Sequence, residues 1–285
     1  MIQLCAFADE ADKSLAGQIA ALQRNGIGYI ELRGINGTNI ADVTERDAQE
    51  YAAQLADAGI KVWSLGSPIG KIKISDYGKE HKDKLRHLCH LAQMFGTDKI
   101  RVFSFYEAYD ARERVLAALR ELVDIAAAEG ITLYHENEKA IYGDTLARVK
   151  EVLENVKGLA AVYDPANFLE VGECAATALD ALRPAIGYYH IKDVIADTHE
   201  LVPAGLGDGR IDRLIAGMPT AGEWVLTLEP HLAVFDGYAQ IDATEMKNRF
   251  HFTDNQSAFA AAADALKALL AANGYQKTEK GYEKQ

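Results

Sequence analysis

Four stretches of the 285-residue chain end an apolar run on a side chain able to bind a cation or move a proton. LYHENE carries Glu136, AVYDPANF carries Asp164, YYHIKD carries His190 and LTLEPH carries Glu229. Taken singly, an acidic residue after a strand is commonly a helix cap, and a lone histidine commonly satisfies a core hydrogen bond. Taken together they are three carboxylates and an imidazole. Like charges a few ångströms apart do not stay ionised cheaply unless a cation sits between them. Oxygen-rich ligation with one imidazole suits Mn²⁺ or Mg²⁺, with Co²⁺ and Zn²⁺ as alternatives. Cys5, Cys89 and Cys174 all lie elsewhere, which disfavours a thiolate metal.

Residues this far apart meet only if the fold brings the ends of their strands to one place. The chain repeats one pattern: an amphipathic helical stretch, a glycine, then a short β-branched or aromatic run. Leu15, Ile19 and Leu22 recur at helical spacing over Ser14–Asn25, Gly26 stops the helix, and Ile27, Tyr29, Ile30 and Leu32 read as a strand. Thr44 and Asp47 read as a capping box before a helix that ends at Gly59, and IKVWSL follows. A helix around Leu85, Leu88 and Leu91 stops at Gly96 before KIRVFSF, and one through Val115, Leu119 and Leu122 stops at Gly130 before ITLYHE. GLAAVYD, AIGYYHI and EWVLTLE continue the series, which begins with IQLCAF. About eight strands, about 32 residues apart, have the period of a βα unit, and eight such units close into a parallel (β/α)8 TIM barrel. An open doubly wound sheet would more often show fewer strands and a glycine-rich first turn, and IQLCAFADE has no glycine. The final helix is expected over Ser257–Asn273. Residues 1–275 thus read as one barrel domain and 276–285 as a frayed polar tail.

Composition narrows the partners. With 30 basic and 42 acidic residues the net charge is −12, which offers no footprint for nucleic acid or an anionic membrane surface. No apolar run approaches the roughly 18 residues of a membrane span, and the N-terminus lacks the pattern of a signal peptide. Three scattered cysteines fit buried thiols in a reducing compartment, so a cytoplasmic location is expected. A homo-oligomer is compatible with all of this.

In a parallel barrel, side chains at the carboxyl ends of the strands share one mouth. Further candidates follow from that geometry. Lys192 and Arg210 could contact substrate hydroxyls or a phosphate, or stand as solvated surface cations. His231, two residues past Glu229, points to the same side and could orient substrate. Glu31 and Arg33 share a face of the second strand and could pair with each other or contact substrate, while Trp63, Tyr106 and Phe168 could wall the pocket. Gly205, Gly207 and Gly209 would shape the long connection after the seventh strand, and His81, His87 and His90 read as an exposed helix face.

HEN at Glu136, DPANF at Asp164, HIKD at His190, GLGDGRID from Gly205 and LEPH at Glu229 resemble the xylose isomerase-like barrels over nearly the whole chain. That family includes sugar and sugar-phosphate isomerases and epimerases, inosose dehydratases, hydroxypyruvate isomerases and endonuclease IV. The resemblance implies that Glu136, Asp164, His190 and Glu229 bind the metal, and that the two glutamates also face opposite sides of the reacting carbon. Many members carry histidine three residues after the aspartate, where this chain has Asn167, taken here as a substrate-binding position. The histidines of a trinuclear zinc centre are missing from WSLGS and VFSFY, which removes the nuclease. The expected partner is a small sugar. The expected reaction is isomerisation or epimerisation of a ketose through an enediolate, with Glu136 or Glu229 as base and the other as acid. Loss of a hydroxyl β to the carbonyl, or a barrel that binds sugar without turnover, are the alternatives.

Overall fold

The computed structural model describes residues 1–232, 250 and 252–285. Eight parallel strands close on themselves: β1 (Ile2–Ala6), β2 (Tyr29–Leu32), β3 (Lys61–Gly66), β4 (Lys99–Val102), β5 (Thr132–Glu136), β6 (Ala160–Tyr163), β7 (Ile186–Ile191) and β8 (Trp224–Leu228). Closure comes from β1 beside β8, in register from Ile2 opposite Trp224 to Ala6 opposite Leu228. The expected (β/α)8 barrel is therefore the fold.

Helices α1 (Leu15–Arg24), α2 (Glu45–Asp57), α3 (Lys79–Met94), α4 (Arg112–Ala128) and α5 (Leu146–Asn155) follow the first five strands. Ser14 accepts the Gly17 N–H and Thr44 the Asp47 N–H, so both helices start where their capping residues predict. Gly26, at φ +61°, turns the chain out of α1 in the left-handed region. After β6 come two shorter helices, α6 (Pro165–Glu170) and α7 (Ala175–Leu182), and after the β7 connection α8 (Ile211–Ala216). The last helix, α9 (Asn255–Ala272), starts two residues before the expected Ser257, because Asp254 and Ser257 cap each other reciprocally.

Alternation along the strands divides the barrel lumen into two storeys. The lower one is apolar: Cys5, Val162, Tyr188 and Val225 pack together, with Tyr29, Trp63 and Tyr134 against them. Two residues further along the same strands stand Glu31, Glu136, Asp164, His190 and Thr227, all buried. The fold thus sets ionisable groups on a greasy floor at the carboxyl end of the barrel. Trp63, expected in the pocket wall, belongs to the floor, where its ring meets Tyr29 and Tyr188 edge-on.

Two loops above the mouth are held by local chemistry. Asp193, just past β7, accepts N–H groups from Val194, Gly205, Gly207 and Gly209 at 2.8–3.1 Å. A Cβ on Gly207 would lie 2.4 Å from Asp193 Oδ1 and 2.6 Å from the Val194 carbonyl. Close approach to that carboxylate is what the glycine run provides. The β3–α3 loop is zipped to the loop after β4, Phe103 N–H donating to Ile69 O at 2.8 Å and Phe105 N–H to Gly70 O at 2.9 Å. Gly70 in turn donates its N–H to His81 Nε2 at 3.0 Å. His81 is thus buried rather than part of an exposed face, whereas His90 is exposed.

Residues 276–285, expected to fray, form a hairpin instead. Its strands, β9 (Tyr275–Lys277) and β10 (Tyr282–Lys284), extend the sheet through Tyr282 opposite Ile2, and both tyrosines are buried. The polar composition concealed this because only those two side chains face inward. Cys5 and Cys89 are buried as expected, but Cys174 is exposed at the start of α7. Among the described residues no helix is long and apolar enough to cross a membrane.

Three outcomes follow. Gly207→Ala should cost about 1–3 kcal/mol by forcing the Asp193 cradle apart, read as a lowered denaturation midpoint; an unchanged midpoint would remove the close-approach argument. Deleting residues 276–285 exposes surface now covered by Tyr282, whose burial is worth roughly 1.5–3 kcal/mol, so Tm should fall by several degrees. Burial, helped by Lys84, lowers the His81 pKa from 6.5 to about 4. The unfolded chain then takes up a proton that the folded chain refuses, so stability falls as pH drops from about 6.5 towards 4. His81→Gln should flatten that window, and an identical acid profile would contradict the assignment.

Candidate metal centre and active site

Glu136 ends β5, Asp164 follows β6, His190 is the penultimate residue of β7 and Glu229 follows β8. The structure brings all four together: they are buried and each offers a ligand atom within 4.8 Å of the others. The centre of the group is His190. Its Nδ1 lies 2.9 Å from Glu136 Oε1 and 3.0 Å from Glu229 Oε2, and its Nε2 lies 3.2 Å from Glu31 Oε2. Glu31 is held in turn by the Tyr188 hydroxyl, which donates to Oε1 at 2.8 Å. A hydrogen on Nε2 donated to Glu31 leaves the Nδ1 lone pair aimed between the two glutamates, the arrangement a metal-ligating histidine needs.

Three fixed cations brace the carboxylates. Arg101 Nη1 is 3.0 Å from Glu136 Oε2, Arg33 Nη1 is 2.9 Å from Glu229 Oε1, and Lys192 Nζ is 2.9 Å from Asp164 Oδ2. Glu136 and Glu229 each spend one oxygen on an arginine and turn the other towards His190. Burial works to raise the Glu136 carboxyl, but His190 and Arg101 outweigh it and bring it down to about 2. Burial likewise opposes ionisation of Glu229, and Lys192 and His190 overcome it. For His190 burial alone would strip the proton, yet Glu136 and Glu31 hold the imidazole protonated well above its ordinary range. Protonated His190 therefore does for the carboxylates what a bound cation would do.

The donor set fits a hard divalent ion. Three carboxylates and one imidazole converge without a thiolate, and buried Asp164 Oδ2 and Glu229 Oε2 accept no well-aligned hydrogen bond. Glu10, Glu229 and His231 form a second convergent group, but Arg33 Nη2 stands 3.2 Å from Glu10 Oε1 and already supplies positive charge there.

The other expected site residues divide. Lys192 is buried on Asp164 and Asn167, not a surface cation. Asn167, expected to bind substrate, is buried, with its Oδ1 accepting from Lys192 at 2.8 Å and its Nδ2 donating to Asn137 O at 2.9 Å. Asn167 opens α6 and is fixed by Asp164, whose Oδ1 caps its N–H. His231 does reach the mouth, with Nε2 3.2 Å from Glu229 Oε1. Arg210 lies outside the cluster, exposed and 3.4 Å from Asp212. Glu31 and Arg33 face the lumen as expected but serve different partners, since Arg33 also binds Asp9. Tyr106 lines the mouth cavity, while Phe168 is buried against Tyr163.

Arg101 was missed by sequence reasoning. Its signal was a cation inside the apolar run KIRVFSF, two positions before Phe103 and so on the lumen side. Asp9 and Glu10, in the turn after β1, carried no such signal. The cavity of about 290 Å³ at this end runs from Glu229, Arg33 and Arg101 outward to Lys71, Tyr106 and Glu138. Two larger clefts, about 480 and 520 Å³, open at the opposite end beside Lys61 and belong to none of this.

Solved structures share this fold at low identity. The probable 3-DHS dehydratase AsbF of Bacillus anthracis superposes with a TM-score of 0.72 at 19% identity, covering 94% of this chain and 99% of its own. An L-ribulose 3-epimerase gives 0.72 at 20%, covering 95% of each chain. An IOLI protein with a binding zinc atom gives 0.72 at 15%, covering 95% and 99%. No curated protein matches by sequence. The model of one family matches residues 19–232, three quarters of the chain, and by that match the protein belongs to the xylose isomerase-like TIM barrels.

Proposed function

We propose that the protein is a divalent-metal-dependent isomerase or epimerase that moves a proton on a ketose-type sugar or sugar phosphate. The observation that carries this reading is the convergence of Glu136 and Glu229, from β5 and β8, on one nitrogen of His190. Two carboxylates brought that close from separate strands can serve as base and acid on either side of one carbon. Glu136, Asp164, His190 and Glu229 would hold the ion, with Mn²⁺ or Mg²⁺ favoured by the oxygen donors. When bound, the ion polarises the substrate carbonyl and stabilises negative charge on its oxygen.

The chain's own groups do the rest. Arg101 and Arg33 keep Glu136 and Glu229 ionised, so both are available to accept a proton at neutral pH. Glu229 lines the cavity and takes the proton from the carbon beside the carbonyl, later losing it to solvent, while Glu136 takes up a proton from solvent and gives it to the carbon. Return to the opposite face of the same carbon gives epimerisation, and return to the neighbouring carbon gives aldose–ketose isomerisation. Glu31 fixes the His190 tautomer, and Lys192 with Asn167 fixes Asp164.

Glu229→Gln keeps the shape and removes the basic oxygen, so turnover should fall by roughly 10²–10⁴, the usual worth of a general base. Incorporation of solvent deuterium into a panel of ketoses, with Mn²⁺ supplied, measures it. Wild-type exchange in the variant would contradict the two-glutamate scheme, and a product lighter by one water would assign a dehydratase instead. Chelation should abolish exchange, and Mn²⁺ should restore it.

A further inference from the structure

The outer end of the mouth cavity carries a second charge pair that the proton-transfer scheme does not use. Lys71 Nζ lies 3.0 Å from Glu138 Oε2, and their side chains are only 14% and 15% exposed. Both line the same 290 Å³ cavity as Glu229. The backbone holds each in place. Lys71 follows Gly70, whose N–H is tied to His81 and whose carbonyl accepts from Phe105, and the ammonium lies 4.3 Å from the centre of the Phe103 ring. Glu138 sits two residues beyond Glu136 and accepts the Lys139 N–H through Oε1 at 3.0 Å. The pair therefore presents a donor and an acceptor side by side at a fixed spacing.

A hydroxyl answers such a pair completely, since it accepts from the ammonium and donates to the carboxylate. A phosphate dianion does not. It has no proton for Glu138, and it brings like charge against that carboxylate 3.0 Å from the ammonium it would reach. Nor do the other described cations of the cavity stand ready for it, because Arg33 and Arg101 are engaged by Glu229 and Glu136. Barrels of this architecture often bind phosphate on backbone N–H groups of the loops after the seventh and eighth strands, of which the described residues cover the loop after β7. In the β7 loop those groups are taken from within: the N–H groups of Gly205, Gly207 and Gly209 all point to the carboxylate of Asp193.

We infer that the substrate is a free, unphosphorylated ketose whose hydroxyls, remote from the reacting carbons, are read by Lys71 and Glu138 acting together. The inference rests on the isomerase reading for the position of the reacting carbons, and it adds the substrate class. The cavity, about 290 Å³, is at the small end of ligand pockets, which suits a small substrate.

Matched pairs of ketopentoses or ketohexoses and their terminal phosphate esters test it with the Mn²⁺-loaded full chain. Deuterium incorporation gives kcat/KM, and calorimetry gives binding of the same compounds. The free ketose should exceed its ester by about 100-fold or more in kcat/KM, the effect of setting the ester's charge against Glu138. Glu138→Gln should narrow that preference by about 10-fold by relieving repulsion of the ester, and Lys71→Gln should raise KM for the free ketose with kcat little changed. An ester that binds or turns over as well as the free sugar overturns the inference, as does a preference that neither variant moves, or binding of neither compound. Tighter binding of the free ketose with no deuterium incorporation upholds the inference and defeats the isomerase reading, so the two fail separately.

Discussion

Everything at the mouth depends on one imidazole held among three carboxylates. His190 touches Glu31 through Nε2 and Glu136 and Glu229 through Nδ1, with no solvent exposure. Burying one charge without partners is prohibitive, so each group exists in this place only because the others do. The same constraint explains the surrounding cations. Arg33 and Arg101 each secure one oxygen of Glu229 and Glu136 and leave the other to His190, while Lys192 pairs with Asp164. A lumen with fewer of these groups would be more stable and chemically inert.

The barrel makes that concentration of charge affordable in structural terms. Alternation along β5, β6 and β7 puts Tyr134, Val162 and Tyr188 one storey below Glu136, Asp164 and His190. The floor excludes water, which strengthens every electrostatic interaction above it. Tyr188 links the storeys, packing on Trp63 below and donating its hydroxyl to Glu31 above. Outside the lumen, Asp193 and its three glycines seat the β7 loop directly after Lys192. Loop, brace and ligand thus follow one another in HIKD and GLGDG.

The strands were readable as short apolar runs after a glycine stop, and the four candidate ligands because they close four of those runs. What lay beyond reach was pairing between distant strands. Arg101 meets Glu136 across neighbouring strands, and Arg33 meets Glu229 across 196 positions of chain. Spacing could not show that Asn167 spends its amide on Lys192 and Asn137, because that depends on where α6 turns after Asp164. Trp63 was misplaced because β2 and β3 shift register between Ile30 and Glu31. The terminal hairpin hid behind a polar composition in which only Tyr275 and Tyr282 bury.

We propose that Glu136, Asp164, His190 and Glu229 form one divalent-metal site. Metal analysis of the purified protein, followed by titration of the stripped chain with Mn²⁺, tests it most directly. One ion per chain is expected, with affinity lowered at least about 10-fold by Glu136→Gln or Asp164→Asn and released protons reporting displacement from His190. A folded chain that takes up no divalent ion, or takes it up equally well in both variants, would contradict it.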